Sequence, residues 1–463
     1  MRLRYSFYIL AASLMLVLSV QAQTIVDARE WFSEGRYADA LPILQTEFSN
    51  TPDNAALNQM LGVALFNTGR ILEAKQHLLF ASQRRITDAH LYLGAIYAKL
   101  YRFADAEREF GLFDRANRRN AAAQERLTAE RANAERLRRA VTRTEDIQII
   151  DSLIVSRAGF LEAFNLSASS GRLMPMSEFF GNVRGGDGIV HINGLGDRIH
   201  FSSEGNLFTM ERLLDAFGNE RQLPEPVSDM GNQSFPFVMV DGLTLHFAST
   251  GHHSLGGYDL FVTRHNIHTG MYLNPSQLNP PFNSPFNDFM KVIDEEKGVG
   301  WFASDRFQHP DSVIVYTFIP NTHVQLIDSD DIEYLARRAM ITSIEESWRE
   351  GADYTALRQQ ARQRVVVQQE VQGDFEFVIN DNTVYHMLSD FRNAHARSLF
   401  SQAMMLEGQL NALNQQLSEQ RNLFPTNPVL RHSILELERQ TREIFVEMER
   451  LKMEARNAEI RGF

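Results

Sequence analysis

Three short stretches of sequence repeat one pattern and decide the fold of the N-terminal part: GRYADA at residues 35–40, GRILEA at 69–74 and YRFADA at 101–106. Their last residues are Ala40, Ala74 and Ala106, so the pattern returns after 34 and then 32 residues. A fixed period of this length is typical of stacked helical units that bury their apolar faces against one another. We therefore expect an α-solenoid over residues 23–118.

These units resemble tetratricopeptide repeats, in which each unit is a pair of helices. Leu61–Gly62 and Leu93–Gly94 fall in the expected first helices, where a glycine lets the paired helix approach. Leu65 and Tyr97 follow on the same face and are candidate partner-binding residues. The resemblance implies a concave groove that holds a peptide or a helix of a partner protein. The alternative is an array that packs only against its own neighbours.

The pattern changes after the repeats. Residues 119–145 are rich in Arg, Ala and Glu and contain neither Gly nor Pro, which predicts one long, solvated connecting helix. From residue 146 the spacing of apolar residues alternates, as in strands. Two stretches share a strand, a tight Asp/Gly turn and a strand that ends in an aromatic and a small residue: PFVMVDGLTLHFAS at 236–249 and VIDEEKGVGWFASDR at 292–306. A weaker copy is INGLGDRIHFS at 192–202.

These strand pairs, with GGYDLF at 256–261, resemble the blades of TolB-type, WD-repeat-like β-propellers. The resemblance implies a central β-propeller over residues 146–325, with about four blades of 40–45 residues. Residues 326–370 are expected to be a helical insertion. The strand–turn–strand pattern at 374–387 is a candidate for closing the ring.

Tetratricopeptide repeats followed by such a propeller are similar to the arrangement of envelope proteins of Bacteroidota. The accessory proteins of type IX secretion are the nearest functional analogy. Those relatives often end in an OmpA-like domain that binds peptidoglycan. Residues 391–463 are helical in pattern instead, which argues against direct contact with peptidoglycan.

The last region, residues 391–463, carries apolar residues at spacings of three and four on both sides of a turn at Pro425–Pro428. Three heptads on each arm predict an antiparallel helical hairpin packed as a coiled coil. The hairpin is either self-contained or a docking arm for another subunit. The expected fold class is thus multidomain α and β.

Residues 1–22 have the features of a secretory signal peptide. Arg2 and Arg4 precede an apolar run from Tyr8 to Val20, and Ala22 suits a signal peptidase. The run is shorter than the roughly 20 residues that span a bilayer. We expect cleavage after Ala22 and a periplasmic protein that meets the outer membrane only through protein contacts. A retained membrane anchor is the alternative.

Composition narrows the classes of function. The formal net charge of −12 argues against nucleic acid or anionic lipid as a partner. The chain has no Cys, which excludes thiolate catalysis, Cys-ligated metal and a lipid-modified cysteine. No metalloprotease, serine-hydrolase or phosphate-loop motif occurs, so we expect no cofactor and no enzymatic activity. A histidine group is better explained by packing than by metal binding: His246, His252, His253, His265 and His268.

The segment from Pro280 to Phe289 combines proline and phenylalanine. An exposed loop of this composition would present Phe282, Phe286 and Phe289 as a recognition surface, whereas a buried one would plug the space between blades. We expect a non-enzymatic scaffold that binds other envelope proteins, in outer-membrane assembly or secretion. The alternative is a glycan-binding protein, or a hydrolase or lyase with its site in the propeller funnel.

Overall fold

The computed structural model describes most of the chain. The described residues are 24–181, 188–213, 216–228, 231–363, 375, 377–380, 383–424 and 427–461. The expected signal peptide and most of residues 364–376 therefore lie outside the described part. The chain divides into two compact units, one up to Val365 and one from Val366 onward.

Consecutive helices build the N-terminal region and confirm its predicted helical character. Each repeat supplies two neighbouring antiparallel helices. Helix α7 lies where the charged connecting helix was expected. The seven helices are α1 Ile25–Ser33, α2 Tyr37–Asn50, α3 Ala55–Asn67, α4 Ile71–Gln83, α5 Ala89–Lys99, α6 Phe103–Asn117 and α7 Ala121–Val141. 

Two glycines set how closely the paired helices pack. A Cβ atom on Gly94 would lie 2.3 Å from Cε1 of Phe110, and one on Gly62 would lie 2.7 Å from Cγ of Leu78. Both distances are far below van der Waals contact, so only glycine permits this approach. Each repeat also places an arginine before its second helix, where it pairs with the acidic residue three positions later: Arg36–Asp39, Arg70–Glu73 and Arg102–Asp105.

The middle of the chain is rich in sheet, as predicted. Between residues 148 and 319 the described residues form three sheets. In the first unit the strands are β1 Gln148–Ser156, β2 Arg172–Pro175, β3 Ile189–Ile192, β4 Arg198–Ser203, β5 Asn206–Leu213, β6 Ala216–Gln222, β7 Gln233–Val238, β8 Thr244–Ser249, β9 Asp259–Asn266, β10 Met271–Tyr272, β11 Ser276–Gln277, β12 Asp288–Asp294, β13 Val299–Ser304 and β14 Ser312–Ile319. 

The strand order follows the sequence in two of the three sheets. The first sheet has the order β2-β3-β4-β5-β6, and the second has β10-β9-β8-β7 with β11 added on β9. All pairs are antiparallel. The tight turns β3–β4, β7–β8 and β12–β13 each contain a glycine with positive φ, which a turn of this kind requires: Gly196, Gly242 and Gly298.

The third sheet joins distant parts of the chain. Its order is β1-β14-β13-β12, and β1 pairs with β14 so that Ser152 lies opposite Tyr316. The stretch 374–387, which was a candidate for closing the ring, does not supply this outer strand. Its described residues form a two-stranded hairpin, β15 Phe377–Asn380 and β16 Thr383–Tyr385, within the second unit.

Aromatic side chains from separate elements meet between the sheets. The ring of Phe235 on β7 lies 5.4 Å from that of Phe289 on β12 and 6.1 Å from that of Phe160. These phenylalanines fill part of the space between the sheets. The same unit contains a buried ion pair. Arg306 Nη2 donates to Asp288 Oδ1 at 2.6 Å, and both side chains are fully buried.

Three short helices complete the first unit: α8 Met176–Phe180, α9 Ile332–Met340 and α10 Thr355–Arg362. The segment around the last two covers the start of β1. Ser347 Oγ accepts from the Ile149 amide at 2.8 Å, and the Trp348 indole donates to the Ile149 carbonyl at 2.8 Å. These bonds occupy backbone groups of an outer strand that would otherwise be unpaired.

The second unit contains two long helices, α11 Ala394–Leu423 and α12 Arg431–Arg461, confirming the helical C-terminal region. Two ion pairs join these helices, Arg421–Glu438 and Lys452–Glu407. The residue number falls along one helix as it rises along the other, as antiparallel packing requires. Ala403, Met448 and Leu451 are buried between them. None of the described helices is both long enough and apolar enough to cross a bilayer.

Candidate partner-binding cleft

A cleft of about 440 Å³ opens where the helical repeats meet the second and third sheets. One wall is the turn between α3 and α4, residues 66–73, together with the end of α5. The other wall consists of loops around residues 256–257, 285–287 and 305–310. Two regions with different sequence patterns therefore build one concave surface.

The helical wall is positively charged at its centre. Arg70 precedes α4 without capping it, and its guanidinium pairs with Glu73 at 2.6 Å. This hydrogen bond lowers the pKa of Glu73, and the nearby His309 contributes in the same direction from the opposite wall. Lys99 Nζ reaches across to the carbonyl oxygen of Pro285 at 3.3 Å, and burial lowers the pKa of this amine.

The sheet wall is held by a polar network. Asp305 accepts from the Asn287 amide at 2.9 Å and from the Asn287 side chain at 2.7 Å. Arg157 donates to the same carboxylate at 3.2 Å and to the carbonyl of Pro310 at 3.0 Å. Because each loop is tied to another loop, this wall is rigid.

The double glycine at 256–257 lets these loops come together. A Cβ atom on Gly256 would lie 2.4 Å from the carbonyl oxygen of Phe286, and one on Gly257 would lie 2.0 Å from Asn287 Oδ1. No larger residue fits at either position without displacing backbone or a bonded amide. The GGYDLF stretch therefore shapes the cleft as well as a strand.

Aromatic side chains line the cleft. Phe286 and Phe307 contact each other with ring centroids 5.3 Å apart, and Phe66 contributes from the helical wall. Phe307 is 40% exposed and has a left-handed backbone with φ of 61°. An exposed aromatic held in this sparsely populated conformation is a feature that clusters at binding sites.

The cleft combines charged groups with apolar rings. Its guanidinium and ammonium groups outnumber its carboxylates, and apolar rings lie beside them. Among the residues that the structure describes, no three His, Asp or Glu side chains are grouped so that they could hold a metal ion.

Two of the predicted binding residues lie inside the helical core. Leu65 and Tyr97 are buried, and the Tyr97 ring is contacted by Lys75 at 5.1 Å and Arg102 at 4.8 Å. Both side chains stabilise the packing between helices. Their role in partner binding stays a prediction that this geometry does not support.

The phenylalanines of the 280–289 segment separate into two groups. Phe282 and Phe289 are buried, and only Phe286 is partly exposed and lines the cleft. The segment therefore adopts the buried alternative for most of its length. Its tip, Phe286 and Asn287, is partly exposed.

Two members of the predicted histidine group pack against neighbours within the sheets. His246 is buried in β8, and burial lowers its pKa well below the usual value. His265 packs its ring against Tyr272 with centroids 5.0 Å apart. Packing accounts for both of these side chains.

Sequence reasoning missed most of the cleft. Arg70 belongs to the repeat pattern and Gly256–Gly257 to the blade pattern, but nothing in the sequence indicated that these residues line one cleft. Phe307, Arg157 and Lys99 carry no local pattern. Only the docking of the repeats onto the sheets brings these residues together.

No protein-family model matches this chain, and no curated protein shows significant sequence similarity to it.

Proposed function

We propose that this protein is a non-enzymatic scaffold of the cell envelope that binds a segment of a partner protein in the cleft between its repeats and its sheets. The cleft carries the proposal, because it combines exposed aromatic rings with guanidinium and ammonium groups on walls fixed by hydrogen bonds. The partner segment is extended, with acidic and apolar side chains. The signal-like sequence at residues 1–22 supports export to the periplasm.

The proposal includes a tetratricopeptide-type array and a small β-propeller. The helix pairs, their period and the glycine contacts at Gly62 and Gly94 support the first. The pairing of β1 with β14 supports the second, since an outer strand supplied from the other end of the domain is a common way to close a ring of blades. The described residues form three sheets in this region, whereas the resemblance implied about four blades.

The envelope assignment rests on the resemblance to Bacteroidota proteins of the type IX secretion class and is part of the proposal. A role in outer-membrane assembly or secretion follows from it. On this assignment, the protein acts by contacting other envelope proteins.

A photo-crosslinking amino acid in place of Phe307 tests this function. In cells of the source organism, we expect it to capture a specific envelope protein. The same group in place of Leu195, which is 85% exposed on the first sheet, is the matched control and should not capture that protein.

The variant Phe307→Gly supplies the second measurement. Glycine accepts the positive φ and removes only the ring, so we expect at least about a tenfold loss of binding to the captured partner with an unchanged circular dichroism spectrum. Equal capture from positions 195 and 307, or full binding by the variant, would contradict the proposal.

A further inference from the structure

The outer face of α12 carries a row of exposed apolar side chains. Leu435, Val446, Met453 and Ile460 are 55%, 59%, 54% and 44% exposed. They are spaced by eleven, seven and seven residues, which returns each to the same side of an α-helix. We call these four residues the outer row.

The outer row is separate from the seam that holds the hairpin together. Leu437, Met448, Leu451 and Ala455 are buried and face α11. At about 100° per residue, the two rows lie roughly half a turn apart on the helix. A helix with apolar rows on opposite sides needs two partners to bury both.

Two charged residues interrupt the outer row. Arg442 and Glu449 lie on the same side of α12, about 10.5 Å apart along its axis. Neither has a hydrogen bond or an ion pair within the described residues. By contrast, Arg439 and Arg450 each pair with two glutamates one turn away on their own helix.

The row continues into a groove of about 980 Å³. Val446 and Met453 form one side of this groove, and Phe377 and Val378 of the small hairpin form the other. The groove is also lined by charged side chains, among them Glu449 of the row. The surface beside the outer row is therefore concave and can receive side chains from another helix.

We propose that the outer row is a self-association surface, and that its occupant is the outer row of a second copy of this chain in antiparallel orientation. A two-fold axis between the helices places Arg442 of each copy opposite Glu449 of the other. A parallel arrangement in register would set Arg442 against Arg442, which is repulsive. The charges of the row are thus complementary to themselves only when one copy is reversed.

Sedimentation analysis of the full mature chain over a wide concentration range tests the proposal. We expect a monomer–dimer equilibrium for the wild type. The double variant V446E/M453E should weaken dimerisation at least about a hundredfold, because it places two charges in an apolar contact. Met405→Glu is the control: Met405 is 63% exposed on α11, outside the row, and its replacement should leave the equilibrium unchanged.

Charge exchange tests the orientation. Arg442→Glu and Glu449→Arg should each weaken the dimer about tenfold, since each sets like charges together at two symmetric positions. The combined variant R442E/E449R should restore the wild-type value within about threefold. Circular dichroism confirms that each variant keeps its helices.

A wild-type chain that stays monomeric at every concentration would overturn the proposal, and so would V446E/M453E dimerising as the wild type does. Failure of the combined charge exchange to restore binding would overturn the antiparallel arrangement. A dimer here neither requires nor excludes a partner in the cleft of the first unit, so the two proposals fail separately.

Discussion

The first unit encloses an ion pair, whereas the long helices of the second carry theirs at the surface. Arg306 and Asp288 are fully buried, and Arg306 also bonds Ser304 and the carbonyls of Pro281 and Ala339. On α12 the guanidinium of Arg439 is largely exposed beside its glutamates. The two units therefore differ in the interactions that specify their folds.

In the first unit, buried polar groups tie loops of distant origin to one another, so the fold depends on a few positions. In the second, the ion pairs along the long helices are exposed and contribute little to stability. The first unit should therefore respond strongly to single changes at polar sites. The long helices of the second unit should tolerate the loss of an exposed ion pair.

The largest expected effect comes from Arg306→Ala. Removal of the guanidinium leaves Asp288 buried without its cation, which should lower the free energy of unfolding of the first unit by about 3–5 kcal/mol. Urea denaturation followed by tryptophan fluorescence measures this unit alone, because all three tryptophans, Trp31, Trp301 and Trp348, lie in it.

Arg439→Ala is the matched control in the second unit. It removes an arginine from an exposed pair, so we expect a change of at most about 1 kcal/mol in the helix-dominated transition seen by circular dichroism. Similar losses for both variants would contradict the comparison.

The second-largest expected effect is a loss of stability of the first unit at low pH. Burial lowers the pKa of His200 to about 3 and that of His191 to about 4. Because an unfolded histidine titrates near 6.5, the unfolded chain binds more protons than the folded one below that pH. Each of these histidines therefore contributes stability above about pH 6.5 that is lost as the pH falls toward 4, by about 3 kcal/mol.

The slope of unfolding free energy against pH tests this. His200→Phe should reduce the loss between pH 6.5 and 4. Asp259→Asn should act in the opposite sense, because burial raises the pKa of Asp259 to about 7 and its folded form gives up stability as the pH rises from about 4 to 7. Identical slopes for wild type and both variants would be inconsistent with this account. No histidine described in the second unit is buried, so its transition should not change with these variants.

The smallest effects should come from glycines. Gly94→Ala sets a methyl group against Phe110 and should cost about 1–3 kcal/mol. Gly408→Ala on α11 meets open space and should stabilise the second unit by about 0.5–1 kcal/mol, because alanine favours the helix. Thermal unfolding of both variants measures the contrast, and a destabilised Gly408→Ala would count against it.

The parts of the fold that the sequence predicted well are those defined over short distances. The period of Ala40, Ala74 and Ala106 located the helix pairs, and the Asp/Gly turns located the β-hairpins, because each pattern reflects contacts within a few tens of residues. The number of sheets was not predictable in this way. The make-up of the third sheet also depends on β1 pairing with β14, which no local pattern shows.

The cleft was hidden for the same reason. Phe66, Lys99, Arg157 and Phe307 come from four separate parts of the chain, and none belongs to a motif. The orientation of Phe282 and Phe289 was equally undetermined, because a loop has no period that fixes which side faces the core. Partner-binding residues chosen by repeat position, such as Leu65, proved to be core residues.

The outer strand of the third sheet has a consequence for biosynthesis. Ser156 on β1 pairs with Ser312 on β14. The strand β1 is therefore synthesised first but cannot form this pair until β14 has been synthesised. While the chain is still emerging, β1 has an unpaired edge with the exposed side chains of Leu153 and Ile154, which favours wrong pairing. Closing so long a loop late is also slow. A holding chaperone that keeps residues 148–156 from pairing until β14 has emerged would therefore favour correct assembly of the third sheet.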